Sequence, residues 1–158
     1  MPIARSTLVT FLLDAKRQTY AAQGDDASVT PLLPGSRQLE YRDGMLFYRD
    51  IYFGGSCFVG QETIYYDSSP GWSMCYSGSV TKDIIAQNKV GEVYEFLRSA
   101  LQQVTPERPY RGPSMFRRNS TVYADESQGD MEHFFGIETI VCEGQPVYEL
   151  HYGGGLLR

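Results

Sequence analysis

Cysteine is scarce in this chain of 158 residues: Cys57, Cys75 and Cys142 are the only three, and no C-x-x-C joins them. An odd count without paired spacing excludes a disulfide framework and points to reduced structural thiols, hence to a cytoplasmic location. Histidine occurs twice and tryptophan once. Basic residues are outnumbered, 14 Lys and Arg against 19 Asp and Glu, for a net charge of −5. That balance lacks the electrostatic footprint of direct nucleic-acid binding. Apolar runs are only a few residues long, so no segment reads as a membrane span. The opening MPIARSTLVTFLLDAKR lacks a signal peptide's apolar core and cleavage site, because charge returns at Asp14. G-x-S-x-G, the P-loop, H-E-x-x-H and G-x-G-x-x-G are all missing. No nucleophile elbow, phosphate cradle, zinc protease helix or dinucleotide fingerprint is therefore implied, and no cofactor is expected.

What the chain does have is a repeat. FVGQETIYYDSSPGWSMCYSG, from Phe58 to Gly78, returns 76 residues later as FFGIETIVCEGQPVYELHYGG, from Phe134 to Gly154. Eight of the 21 aligned positions are identical without a gap, where unrelated stretches would share roughly one. A long-period duplication follows, and with it a single domain, residues 1–158, made of two repeats at about 5–80 and 83–158. Tyrosine is over-used, at 12 residues. It suits half-buried strands and wet pockets, having an apolar ring and a polar tip.

Within each repeat the pattern predicts a helix and then three strands. Leu8, Phe11, Leu12, Ala15 and Thr19 form an apolar stripe over a helix from about 6 to 22, with Ser6 as its N-cap and Lys16 off the stripe. Residues 24–38 read as a Pro/Gly loop. Strands follow at Met45–Phe53, Cys57–Tyr66 and Trp72–Ser79. A second helix at about 90–104 carries Val93, Phe96, Leu97, Ala100, Leu101 and Val104 on one face. After another loop come strands at Thr121–Glu126, Glu132–Cys142 and Val147–Gly154. The expected fold is α+β: a duplicated αβββ unit, with an antiparallel sheet of about six strands covered by two main helices.

Side chains alternate along a strand, so even positions of the repeat share a face. That face is apolar in both copies, yet Glu62 and Glu138 sit on it. A carboxylate there needs a partner. Tyr76 and Tyr152 are the first candidates, across the hairpins. Arg42 and Arg111, in the echoing Tyr41-Arg42 and Tyr110-Arg111 segments, are the second. Two readings stand side by side. Either the glutamates are satisfied anchors, or they line an apolar pocket for a cationic or amine-bearing ligand. Cys57 and Cys75 align with His133 and His151, off the core face and two to a copy, which falls short of a zinc site. On the odd face of the second copy, Phe135, Ile137, Val141 and Val147 are apolar enough to expect cover from a helix or a homodimer partner.

Four segments carry a family resemblance: LEYRDG from Leu39, WSMCYSG from Trp72, PYRGP from Pro109 and YELHYGG from Tyr148. They resemble a bacterial domain family of unknown function whose members occur alone or C-terminal to Cro/repressor-type helix-turn-helix regulators. The resemblance implies ligand or partner binding in place of catalysis. The leading expectation is a small-molecule-binding or sensor domain with Glu62, Glu138, Trp72, Tyr76, Tyr148, Tyr152, Arg42 and Arg111 around its pocket. The ligand expected is small and cationic or aromatic. The alternative is a protein-interaction or homodimerising module without a ligand. An enzyme using the paired carboxylates as acid and base is a third.

Overall fold

A computed structural model describes residues 3–158, apart from the side chains at 25 and 27. The chain opens with α1 (Arg5–Gln18) and the one-turn α2 (Tyr20–Gln23), then a 3₁₀ turn at Gly24–Ala27. Four strands follow, β1 (Arg37–Asp43), β2 (Leu46–Gly54), β3 (Cys57–Tyr66) and β4 (Ser69–Val80). Two helices, α3 (Lys82–Ala86) and α4 (Val90–Leu101), lead to β5 (Met115–Arg118), β6 (Thr121–Asp130), β7 (His133–Cys142) and β8 (Gln145–Leu156). All eight strands pair antiparallel in one sheet, in the order β1-β2-β3-β4-β8-β7-β6-β5. No described helix is long and apolar enough to cross a membrane.

The expected six strands under two main helices are thus corrected to eight strands with four short helices among the described residues, the helices being of 14, 4, 5 and 12 residues. The strands that sequence patterning missed are β1 and β5, the two edges. Edge strands carry charge that discourages pairing with other chains, and the same charge blurs the alternation that marks a strand. In β1 the sequence RQLEYRD has charge on both faces; β5 is only four residues in a Pro/Gly-rich segment. At the first helix, Ala4 is the N-cap, and Ser6 lies inside. Thr19, at φ −108° and ψ −119°, breaks the helix before residue 22.

Tight turns set the hairpins. Asp67 and Ser68 join β3 to β4, and Glu143 and Gly144 join β7 to β8, each pair with positive φ at both residues. That geometry matches the right-handed twist of the flanking strands. At the centre of the sheet β4 pairs with β8, and Tyr76 lies opposite Tyr152, its own counterpart. Met74 lies opposite Gly154, and Gly78 opposite Leu150. The second pair is the first with the copies exchanged, so the two runs of four strands meet about a pseudo-twofold axis at Tyr76–Tyr152.

One face of the sheet is buried. Ile64, Trp72, Met74, Ile140 and Leu150 have no exposed surface, and they join a single cluster with Leu12 and Ala15 of α1 and Leu97 and Ala100 of α4. Each large apolar side chain so buried contributes about 1.5–3 kcal/mol. Phe134 stacks on Trp72 at 5.7 Å and on Tyr110 at 3.9 Å between ring centroids. On the opposite face, Phe135 and Ile137 are 53% and 42% exposed, and no described element of this chain covers them. Val147 departs from that face: the register shift between Ile140 and Val141 turns it inward, and it is buried.

Gly60 and Gly136, identical in the repeat, have a steric purpose. Gly60 pairs with Tyr76 and Gly136 with Tyr152. A Cβ at either glycine would collide with the facing phenol ring. Each tyrosine therefore lies across a glycine and reaches the next strand. Gly60→Ala should cost about 1–3 kcal/mol by urea denaturation, as overpacking does, and markedly less in a Tyr76→Ala background. Equal costs in the two backgrounds would contradict this account of the glycine.

Candidate functional site

Four carboxylates lie on the buried face, and the register sets them in pairs: Asp50 opposite Glu62 on β2–β3, Asp125 opposite Glu138 on β6–β7. Their exposures are 5%, 2%, 1% and 0% respectively. Burying one charge costs several kcal/mol unless donors or cations replace the lost water. The two copies solve this differently.

In the second copy every carboxylate oxygen is engaged. Arg111 grips Glu138 with two bonds, Nε to Oε2 at 3.1 Å and Nη2 to Oε1 at 2.9 Å. The hydroxyls of Tyr123 and Tyr148 donate to the same two oxygens at 2.6 and 2.8 Å. Asp125 accepts from Tyr152 on Oδ1 at 2.9 Å and pairs through Oδ2 with Arg108 at 3.1 Å.

The first copy is less complete. Glu62 takes Lys16 Nζ at 2.5 Å, the outer reach of Arg111 at 4.0 Å, and the Tyr48 hydroxyl. Asp50 accepts from Tyr76 on Oδ1 at 2.7 Å. Among the described residues no Lys or Arg stands within ion-pair distance of Asp50, and its second oxygen has no side-chain donor.

Protonation follows from these surroundings. Burial, and then the Glu62 charge, push Asp50 up to about 7. Burial, and then Glu138, push Asp125 up to about 6. Burial lowers Lys16, against the pull of Glu62. Burial also works against the Arg111 charge, but Glu138 and Tyr148 outweigh it and hold the guanidinium well above its usual range. Burial raises Tyr48, Tyr76, Tyr123 and Tyr148 far above the normal phenol, with the carboxylates adding to the effect, so all four serve as O–H donors.

Against the first copy lies a cavity of about 90 Å³. That is room for several waters or one small molecule. Asp50, Glu62, Lys16, Arg111 and the exposed Arg37 are the charged part of its wall; Phe58, Tyr94 and Leu97 are among its apolar lining. Glu138 and Asp125 are not part of it.

The structure brings together most residues singled out by the repeat. Glu62, Glu138, Tyr76, Tyr148, Tyr152 and Arg111 belong to one polar cluster, although Tyr76 and Tyr152 serve the aspartates and not the glutamates. Trp72 is fully buried behind it, with its indole N–H unpartnered among the described residues. Arg42 stands apart, exposed on β1 with its guanidinium 4.4 Å from the Phe47 ring. Lys16, Tyr48, Asp50, Arg108, Tyr123 and Asp125 were missed. For the strand residues a signal existed: Tyr48, Asp50 and Gly54 recur as Tyr123, Asp125 and Gly129, but at a spacing of 75. The second hairpin is one residue longer, which puts β2 and β6 out of step with a gapless comparison. Lys16 follows Leu12 by four residues, on the edge of the buried stripe, and carries no echo in the repeat.

The model of a family described as a domain of unknown function (DUF5680) matches residues 50–157. No curated protein and no solved structure matches the chain.

The two glutamates should respond unequally to neutralisation. Glu138→Gln leaves Arg111 buried with a charge it cannot shed, and should cost about 3–5 kcal/mol. Glu62→Gln leaves Lys16, which can lose its proton in a buried site, so the cost should be nearer 1–2 kcal/mol. Urea titration of the two variants at neutral pH reads the difference; equal losses would contradict it.

Proposed function

The chain belongs to the DUF5680 family, whose description names no reaction, and we infer its function first from the geometry of the site. The reading best supported is a small-molecule-binding domain. The ligand sits in the cavity against the first copy, on the wall made by Asp50, Glu62 and Lys16. The second copy is its scaffold. One observation carries this: the same constellation occurs twice, closed on itself around Glu138 and Asp125 and bordering a cavity at Glu62 and Asp50. A pocket with apolar walls and a few convergent polar groups is the usual form of a ligand site.

The resemblance to bacterial domains that stand alone or behind a helix-turn-helix supports a sensor role, in the cytoplasm. Lys16 gives such a sensor a readout. It ties α1 to the cavity wall through Glu62, so a ligand that competes for Glu62 loosens the helix. Thermal unfolding of the full chain against a library of small polar and aromatic compounds tests the reading. At a concentration one hundred times its Kd, a true ligand adds about 2.7 kcal/mol of stability. We expect at least one compound to raise the midpoint for wild type and not for Ala21→Phe, which fills the cavity from α2. Shifts of equal size in both proteins, or none with any compound, would remove the reading.

A further inference from the structure

We propose that the ligand of this cavity carries a cationic nitrogen head, a guanidinium or a primary ammonium, and that this head pairs with Asp50. The proposal rests on the binding reading above and names the chemistry of its ligand. The fold itself supplies the comparison. Asp125 is the counterpart of Asp50, each facing its glutamate across the same hairpin and each accepting a bond from the counterpart tyrosine. Asp125 is completed by the guanidinium of Arg108 at 3.1 Å. Asp50 is 5% exposed, and among the described residues no cation completes it. Lys16 and Arg111 lie close enough to lower its pKa, yet they are bonded to Glu62 and Glu138.

A buried carboxylate in that condition either keeps its proton or takes a cation from outside. With a pKa near 7, Asp50 needs little change in pH to ionise. The apolar wall suits the rest of such a ligand. Phe58 and Tyr94 stand edge to face at 6.1 Å beside the carboxylates, and aromatic faces attract cations and pack their carbon chains. A volume of about 90 Å³ suits a small molecule, a charged head on a short chain or a single ring. An anionic ligand would meet Asp50 and Glu62, while Lys16 and Arg111 are already bonded to carboxylates and Arg37, exposed at the lining, donates to the Gly54 carbonyl. A neutral ligand would leave Asp50 protonated and gain a hydrogen bond at most, without the ion pair.

Binding a cation requires the Asp50 proton to leave, so affinity should fall about tenfold per pH unit below 7 and level off above it. The groups facing Asp50 are Glu62 on β3, Tyr76 on β4, Lys16 on α1, Arg111 before β5 and Tyr48 on its own strand. The tyrosines stay protonated throughout.

Isothermal titration of the full chain decides the matter. The probes are methylguanidinium, agmatine and phenethylammonium, with methylurea and phenylethanol as neutral counterparts, at pH 6, 7 and 8. We expect at least one cation to bind, its neutral counterpart to bind at least tenfold more weakly, and Asp50→Asn to weaken the cation at least tenfold while Asp125→Asn does not. If a neutral counterpart binds as well as its cation, or Asp50→Asn binds the cation unchanged, the cationic head is wrong and the pocket reading survives. If no probe of either kind binds, the cationic head is wrong, and the pocket reading stands or falls on the thermal screen above. Should Asp50→Asn fail to fold, the pH series on wild type decides, and an affinity flat from pH 6 to 8 overturns the proposal.

Discussion

Four carboxylates under one face of a sheet are the constraint around which this chain is built. Water must be replaced for each, and the replacements come from both ends of the chain and from both copies. They include a lysine from α1, tyrosines from β2, β4, β6 and β8, and two arginines from the segment before β5. Removal of one partner strands another charge, so the cluster is as sensitive as the apolar core it sits in. The aspartates add a pH dependence. A folded state that holds a proton up to pH 6 or 7 gains stability from that group at low pH. The gain is lost as pH rises from about 4, where the unfolded chain lets the proton go, through the folded pKa.

The pseudo-twofold arrangement explains why the polar cluster is shared across the midline. Arg111 grips Glu138 with one edge and reaches Glu62 at 4.0 Å with the other nitrogen. The halves have diverged in what supports each carboxylate. Tyr148 hydrogen-bonds Glu138, while its counterpart in the first copy is Trp72, which has turned to stack on Phe134. Arg108 closes Asp125, and no described cation does this for Asp50. Divergence of this kind lets one copy hold the structure while the other keeps a cavity.

Much of this was legible in the repeat, because identity between copies marks positions under a common physical demand. Glu62 and Glu138, Gly60 and Gly136, and Tyr76 and Tyr152 all proved to be parts of one device. Their connectivity was not legible. Tyr76 looked like a partner for Glu62 across the hairpin, but Gly60 gives it room to cross β3 and reach Asp50. Asp50 and Asp125 were hidden by one extra residue in the second hairpin. The edge strands were hidden by their own charge, and Lys16 by its place off the apolar stripe of its helix. Arg42 was drawn in by a short sequence echo that the fold does not honour, since Arg42 lies on β1 and Arg111 in the segment before β5.

The account holds that the two aspartates are buried alike but completed unequally, and the most direct test is their titration in the folded protein. Carbon-13 NMR of the aspartate carboxyl groups from pH 3 to 9, assigned with Asp50→Asn and Asp125→Asn, reads both at once. The account predicts that Asp50 titrates near 7 and Asp125 near 6, with Asp50 the higher of the two. Ordinary titration of both near 4, or Asp125 titrating above Asp50, would contradict it.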